Sequence, residues 1–191
     1  MLGRLESKNR PPRPMPSVRA DAMSSLTTLR CVFACAVAAC AFSFAGLASA
    51  SSTSERAACV AAAAERYAVP SPLLLAVMRT EGGTTGRTSR PNGNGSLDLG
   101  LMQINEIHLP ELARYGISRE MVIHNECVNI FIGAFILSRE LAKPGADYWT
   151  NVGAYNSRTP CERFYSKGKK CPNIEYQRKV AQHLANILQG R

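Results

Sequence analysis

The stretch from Cys31 to Leu47 is almost wholly apolar, is preceded by Arg30 and is followed by Ala48-Ser49-Ala50. A basic flank, an apolar segment and a small-residue A-x-A site are the parts of a cleavable export signal. The stretch approaches membrane-spanning length, but its Ala-rich character and cleavage site favour a signal peptide over a retained anchor. Ahead of it, residues 1–22 include Arg10-Pro11-Pro12-Arg13-Pro14-Met15-Pro16 and show no apolar period, so they build no core. The expected division is an N-terminal extension and signal peptide over 1–50, with translation starting at Met23, and one folded domain over 51–191. No membrane span is expected after processing.

That division changes the arithmetic of the fold. The whole chain has 191 residues, a net charge of +9 and seven cysteines. Residues 51–191 keep 17 basic and 12 acidic residues, a net +5, and only Cys59, Cys127, Cys161 and Cys171. Four cysteines in an exported domain read as two disulfides in an oxidising compartment, a periplasm or the extracellular space, with three connectivities open. The cysteines form no CxxC pair of the kind that metal sites favour, so no metal site and no cofactor is expected. An export signal together with 7% aromatic content argues against a nucleic-acid partner.

The patterning of the domain is helical. Ser54 is positioned to cap a helix through the Ala-rich stretch to Tyr67. Val69-Pro70-Ser71-Pro72 interrupts it, with Ser71 as N-cap and Pro72 opening a second helix that stops at Gly82-Gly83. A polar loop follows over 84–96, with turn signals at Asn92-Gly93 and Asn94-Gly95. Further helices are expected over 109–115, closed by Gly116, from Asn125 to Lys143, and from Asp147 towards Tyr155. A basic loop with two cysteines precedes a last helix from Pro172, on which Tyr176, Val180, Leu184 and Ile187 share a face. The expected class is mainly α, with at most one small β-hairpin.

Three segments carry candidate chemistry. In the first, Leu74, Met78 and Glu81 stand at i, i+4 and i+7, so the acid shares the apolar face of its helix. A carboxyl there is poorly solvated, stays protonated near neutral pH and can serve as a general acid, unless it turns to solvent at the helix end. The second segment runs from Asn92 to Asn105, with Asp98 as its only carboxylate. Its alternating Asn92, Asn94, Ser96 and Asp98 resemble a calcium loop only faintly, since the Gly is misplaced and the twelfth position is Gln103. Gln103 and Asn105 are suited instead to hydrogen-bonding a sugar or peptide across a cleft. The third is Gly153-Ala154-Tyr155-Asn156-Ser157, an ordinary helix end when taken alone.

Taken in order, Thr80-Glu81-Gly82-Gly83, Asp98-Leu99-Gly100-Leu101-Met102-Gln103-Ile104-Asn105 and Gly153-Ala154-Tyr155-Asn156-Ser157 resemble the soluble lytic transglycosylases of the lysozyme-like superfamily. The likeness is greatest to small exported transglycosylases that accompany bacterial secretion, conjugation and pilus machines. It spans about Cys59 to Tyr155 and takes in Cys127-Val128-Asn129-Ile130 and Gly133-Ala134. The resemblance implies a single lysozyme-like domain acting on peptidoglycan glycan strands in the periplasm, with components of such a machine as partners. It implies Glu81 as the acid and base that cleaves the bond between N-acetylmuramic acid and N-acetylglucosamine with formation of 1,6-anhydromuramyl ends. It further implies that Tyr155 orients Glu81, that Met102, Gln103 and Asn156 line the sugar cleft, and that the bridges are Cys59–Cys127 and Cys161–Cys171. One departure is Gly82, where members often have Ser after the acid.

Two rival functions remain open from sequence. Gly95-Ser96-Leu97-Asp98-Leu99-Gly100 with Gln103-Ile104-Asn105 is also similar to animal-type lysozymes, in which Glu81 would be the acid and Asp98 the nucleophile of a retaining hydrolase. A non-catalytic peptidoglycan-binding adaptor would use the basic cluster Arg158, Arg163, Lys167, Lys169 and Lys170 instead.

Overall fold

The computed structural model describes residues 47–191, with side chains from Thr53 onward. The expected extension and most of the signal segment lie outside these residues. Helix α1 (Leu47–Tyr67) is followed by α2 (Ser71–Glu81), strands β1 (Asp98–Leu99) and β2 (Ile104–Asn105), a 3-10 turn (Glu106–His108) and α3 (Leu109–Ala113). The chain continues through α4 (Arg119–His124), α5 (Glu126–Leu141), α6 (Tyr148–Gly153), α7 (Glu162–Tyr165) and α8 (Pro172–Leu188). This is the mainly helical architecture with one small hairpin expected from the pattern. Among the described residues no helix is long and apolar enough to cross a membrane.

Helix α5 is the core element because it is apolar on nearly every side. Ile130, Ile132, Ala134 and Leu137 are fully buried, and α1, α4 and α6 pack around it. Its start is capped by Asn125, whose side chain accepts from the Val128 N–H at 3.0 Å. Helix α2 lies mainly against α8, where Leu73, Leu74, Val77, Tyr176 and Val180 are all buried. The Cys59–Cys127 disulfide ties α1 to the first turn of α5, and Cys161–Cys171 closes the segment that carries α7. These are the two bridges implied by the resemblance.

Local outcomes depart from the sequence pattern where short-range chemistry decides. Helix α1 begins at Leu47, so Ser54 sits inside it and not at its cap. Ser71 makes no capping bond; α2 opens from Pro70 with Pro72 in its first turn, where a missing N–H costs nothing. The Asn92–Ser96 turn forms, with the Asn92 N–H donating to the Ser96 carbonyl at 2.8 Å, but the two-stranded hairpin lies downstream of it. There β1 and β2 pair antiparallel, Asp98 opposite Asn105 and Leu99 opposite Ile104. Helices α4 and α7, six and four residues long, are too short for an apolar period to show.

One buried amide fixes the hairpin on the core. Asn129, on α5 and 1% exposed, accepts from the Met102 N–H at 2.7 Å and donates to the carbonyls of Leu99 at 3.0 Å and Val122 at 2.8 Å. Three backbone groups that a buried turn would leave unpaired are thereby satisfied. Gly100 allows this approach: its φ is +67°, and a Cβ there would come within 2.5 Å of the Asn129 amide nitrogen.

Candidate active site

Glu81 ends α2 and faces a cleft of about 930 Å³ between the hairpin loop and the α6–α8 segment. The helix stops there because Gly82 takes the left-handed conformation at φ 60° and returns its N–H to the Met78 carbonyl. A Cβ at Gly82 would meet nothing within 4 Å, so the position differs from a Ser-bearing one in backbone strain and not in crowding. Gly83 is different in kind. A Cβ there would lie 2.2 Å from the Gly100 carbonyl oxygen, so only glycine lets the acid's helix end rest against the hairpin turn.

Burial dominates the electrostatics of Glu81. It pushes the carboxyl from 4.5 up to about 7, and the negative charge of Asp98 adds to the rise. Opposing this, the Tyr176 hydroxyl donates to Glu81 Oε1 and the Lys179 ammonium lies near, both favouring the charged form. The outcome is an acid held midway between its two states at neutral pH, the condition for one group to give a proton and take one back. Tyr176 and Tyr155 are both pushed far above the usual phenol range by burial, with Glu81's charge contributing, so both remain neutral donors.

The opposite wall is made of amides and hydroxyls. Asp98 Oδ1 accepts from the Asn105 amide at 2.6 Å, and its Oδ2 accepts from the Asn92 amide at 3.1 Å. Asn105 also donates to Ser96 Oγ at 2.9 Å, while its own oxygen accepts from the Ile107 N–H at 3.1 Å. Asp98 is therefore held in the wall by a chain of side chains that began in sequence as alternating Asn, Asn, Ser and Asp. Among the described residues, no group of three or more His, Cys, Asp or Glu side chains is arranged to hold a metal ion.

The remaining expected site residues divide. Gln103 and Asn156 line the cleft with Glu81, Asp98, Asn105 and Tyr155. Gln103 has φ +48° and donates to the Gly100 carbonyl at 2.8 Å, which closes the hairpin turn. Met102 does not reach the cleft: it is fully buried, with its side chain against Gly133 where a Cβ would lie 2.6 Å from its terminal methyl. The positive φ values on either side of it turn this side chain into the core. Its carbonyl instead accepts the Tyr155 hydroxyl at 3.0 Å. The phenol on Glu81 is therefore Tyr176, not Tyr155, and the two rings stack at 6.3 Å and 14°. Tyr176 was visible in sequence only as one member of an apolar helix face, although it is the only member with a polar tip.

A buried ion cluster holds the Tyr155–Arg158 segment against α5. Glu140 is fully buried; Arg158 donates to its Oε1 with Nε at 3.0 Å and also through Nη2, and Lys143 donates to its Oε2 at 2.7 Å. From the other side Asn173 donates to the carbonyls of Thr150 at 3.2 Å and Ser157 at 2.9 Å. Because the cluster's cations remain partly hydrated while its carboxylate is fully paired, it locates the segment without an uncompensated buried charge.

Removing the Tyr176 hydroxyl tests the electrostatic arrangement directly. Tyr176→Phe takes away a bond that favours the ionised acid, so the Glu81 carboxyl rises further. The alkaline limb of any activity that needs protonated Glu81 is expected to move up by about one pH unit. A pH–rate profile checks this, and an alkaline limb that stays in place would contradict the assignment.

A small helical domain with an acid at a helix end, facing an amide-lined cleft beside a short hairpin, is of the lysozyme-like class. Residues 58–177 match the transglycosylase SLT domain, and the chain belongs to that family. It is 36% identical over 132 residues to protein IpgF of Shigella flexneri, covering 69% of this chain and 82% of that one. It is also 36% identical over 105 residues to invasion protein IagB of Salmonella typhimurium, covering 55% and 65%. A shorter match to X polypeptide of Escherichia coli (strain K12) is 47% identical over 58 residues, or 30% and 34% of the two chains.

Proposed function

We propose that this protein is a peptidoglycan lytic transglycosylase of the periplasm that uses Glu81 as its single acid and base. The observation that carries the reading is Glu81 at the end of α2, part-buried, bonded to the Tyr176 hydroxyl and facing an amide-lined cleft. Protonated Glu81 gives its proton to the glycosidic oxygen between N-acetylmuramic acid and N-acetylglucosamine, and the C1–oxygen bond breaks. The muramyl C6 hydroxyl then closes on C1, its proton passes to the Glu81 carboxylate, and a 1,6-anhydro end forms with no water consumed. An internal hydroxyl already has a large effective concentration, so no side chain has to position a water. Tyr176 holds the carboxyl during both transfers, and Gln103, Asn105 and Asn156 offer donors and acceptors to the sugars. Local opening of the wall for a secretion, conjugation or pilus apparatus is the role that fits an exported enzyme with IpgF and IagB among its relatives.

Asp98 supports a second reading, the retaining hydrolase, because it shares the cleft and its charge is felt at Glu81. Both its oxygens accept amide hydrogen bonds, which suits a fixed charge that stabilises positive character at C1 better than a nucleophile that must move onto it. Asp98→Asn is therefore expected to slow wall lysis by roughly 10-fold to 10²-fold while leaving turnover measurable. Loss as complete as that of a Glu81 variant would identify Asp98 as a nucleophile and overturn the transglycosylase reading.

A further inference from the structure

The disulfide-closed segment Cys161–Cys171 contributes Phe164 to the lining of the cleft, and Pro172, which opens α8, lines it directly after. The segment is a folded lobe. Helix α7 is followed by turns in which the N–H groups of Lys167 and Lys169 donate to the Phe164 carbonyl at 2.9 and 3.0 Å. Buried Cys171 and the Asn173 bonds to Thr150 and Ser157 fix its base against α6. Its charge is one-sided: Arg163, Lys167, Lys169 and Lys170 are exposed against a single acid, Glu162. Among the described residues none of these four cations makes a salt bridge. Arg158, by contrast, is committed to Glu140. Exposed cations on the lobe whose Phe164 lines the cleft are an electrostatic complement to an anionic ligand that leaves the cleft across that lobe.

We propose that this lobe binds the carboxylates of the peptide stems carried by the glycan strand, which rests on the peptidoglycan reading above. Where a stem is attached, the lactyl carboxyl of the muramic acid is tied up in the amide to it, so the anionic groups of a stem-bearing strand lie on the peptides branching from alternate residues. Glycan in the cleft presents those branches to whichever wall stands beside it. The lobe thus makes the protein prefer stem-bearing strands over bare ones, and Lys167, Lys169 and Lys170 determine that preference.

The test is binding, measured in the Glu81→Gln background so that no turnover is required. The full chain, with and without Lys167→Gln, Lys169→Gln and Lys170→Gln together, is titrated with stem-bearing glycan strands and with strands stripped of peptide by an amidase and then capped as simple amides at the freed lactyl carboxyls. The triple change is expected to weaken binding of stem-bearing strands by roughly threefold to tenfold and to leave stripped strands within about twofold. Added salt is expected to narrow the same preference in the unchanged lobe. An equal loss on both strands, or a stem preference that survives the triple change, overturns the proposal; the latter assigns the lysines to another partner, such as a protein. Failure of the parent protein to bind either strand would overturn the peptidoglycan reading itself.

Discussion

Glu81→Gln is expected to lower peptidoglycan cleavage by roughly 10³- to 10⁴-fold, within the roughly 10²- to 10⁴-fold span that one general acid–base group ordinarily contributes. The effect falls at the upper end because, in the proposed mechanism, the same carboxyl serves both proton transfers. Gln keeps the shape and still accepts from the Tyr176 hydroxyl, so the loss is chemical and not structural. A stability measurement separates the two. The folded carboxyl titrates at about 7 and its unfolded counterpart near 4.5, so the native state binds the proton more tightly. Its favourable contribution is fully present below about pH 4.5 and is lost as pH rises through 7. The Gln variant, which never ionises, is therefore expected to be as stable as the parent in acid. Above pH 7 it should be more stable by on the order of 1–3 kcal/mol. Denaturant melts at pH 4 and pH 8 check this, and a variant less stable than the parent at pH 8 would contradict the burial assigned to Glu81.

The second large effect is expected at the bridge from α1 to α5. Cys59 and Cys127 are 68 residues apart, and closing a loop of that length restricts the unfolded chain enough to contribute about 4 kcal/mol on the chain-entropy account. Cys161 and Cys171 are 10 residues apart, for which the same account gives about 3 kcal/mol. Paired replacement by Ser should therefore shift urea midpoints in that order. The larger shift also coincides with function: the long bridge spans α2, the hairpin and α4, which together carry Glu81, Asp98 and the carbonyls that Asn129 holds. Equal midpoints for the two replacements, or a larger loss from the short bridge, would contradict the account.

Much of the fold was legible because its signals are periodic or local. The i, i+4, i+7 spacing of Leu74, Met78 and Glu81 places the acid on a buried face, and the same logic finds Tyr176 and Val180 on α8. Capping by Asn125 and Asp147 is likewise local, and Asp147 accepts from the N–H groups of Trp149 and Thr150, both at 3.0 Å. What escaped sequence reasoning is contact between distant residues. Tyr176 meets Glu81 across 95 positions, and nothing on α8 distinguishes its ring from packing. The Met102 side chain was expected in the cleft, but the turn that carries it is pinned by Asn129 and directs the side chain to Gly133. Tyr155 was expected on Glu81, yet its hydroxyl satisfies the Met102 carbonyl that the same turn leaves exposed to it. These corrections share one origin, the amide-held hairpin turn, whose geometry depends on long-range bonds that no spacing rule encodes.

The claim that Glu81 alone performs both proton transfers, with the substrate's own C6 hydroxyl as nucleophile, is tested most directly by the mass of the products. Purified protein is incubated with peptidoglycan sacculi, and the released muropeptides are analysed by mass spectrometry before and after borohydride reduction. The expected muropeptides are one water lighter than hydrolysis products and resist reduction, because their muramyl ends are 1,6-anhydro. Products that carry the extra water and are reduced by borohydride would contradict the account and assign the cleft to a hydrolase.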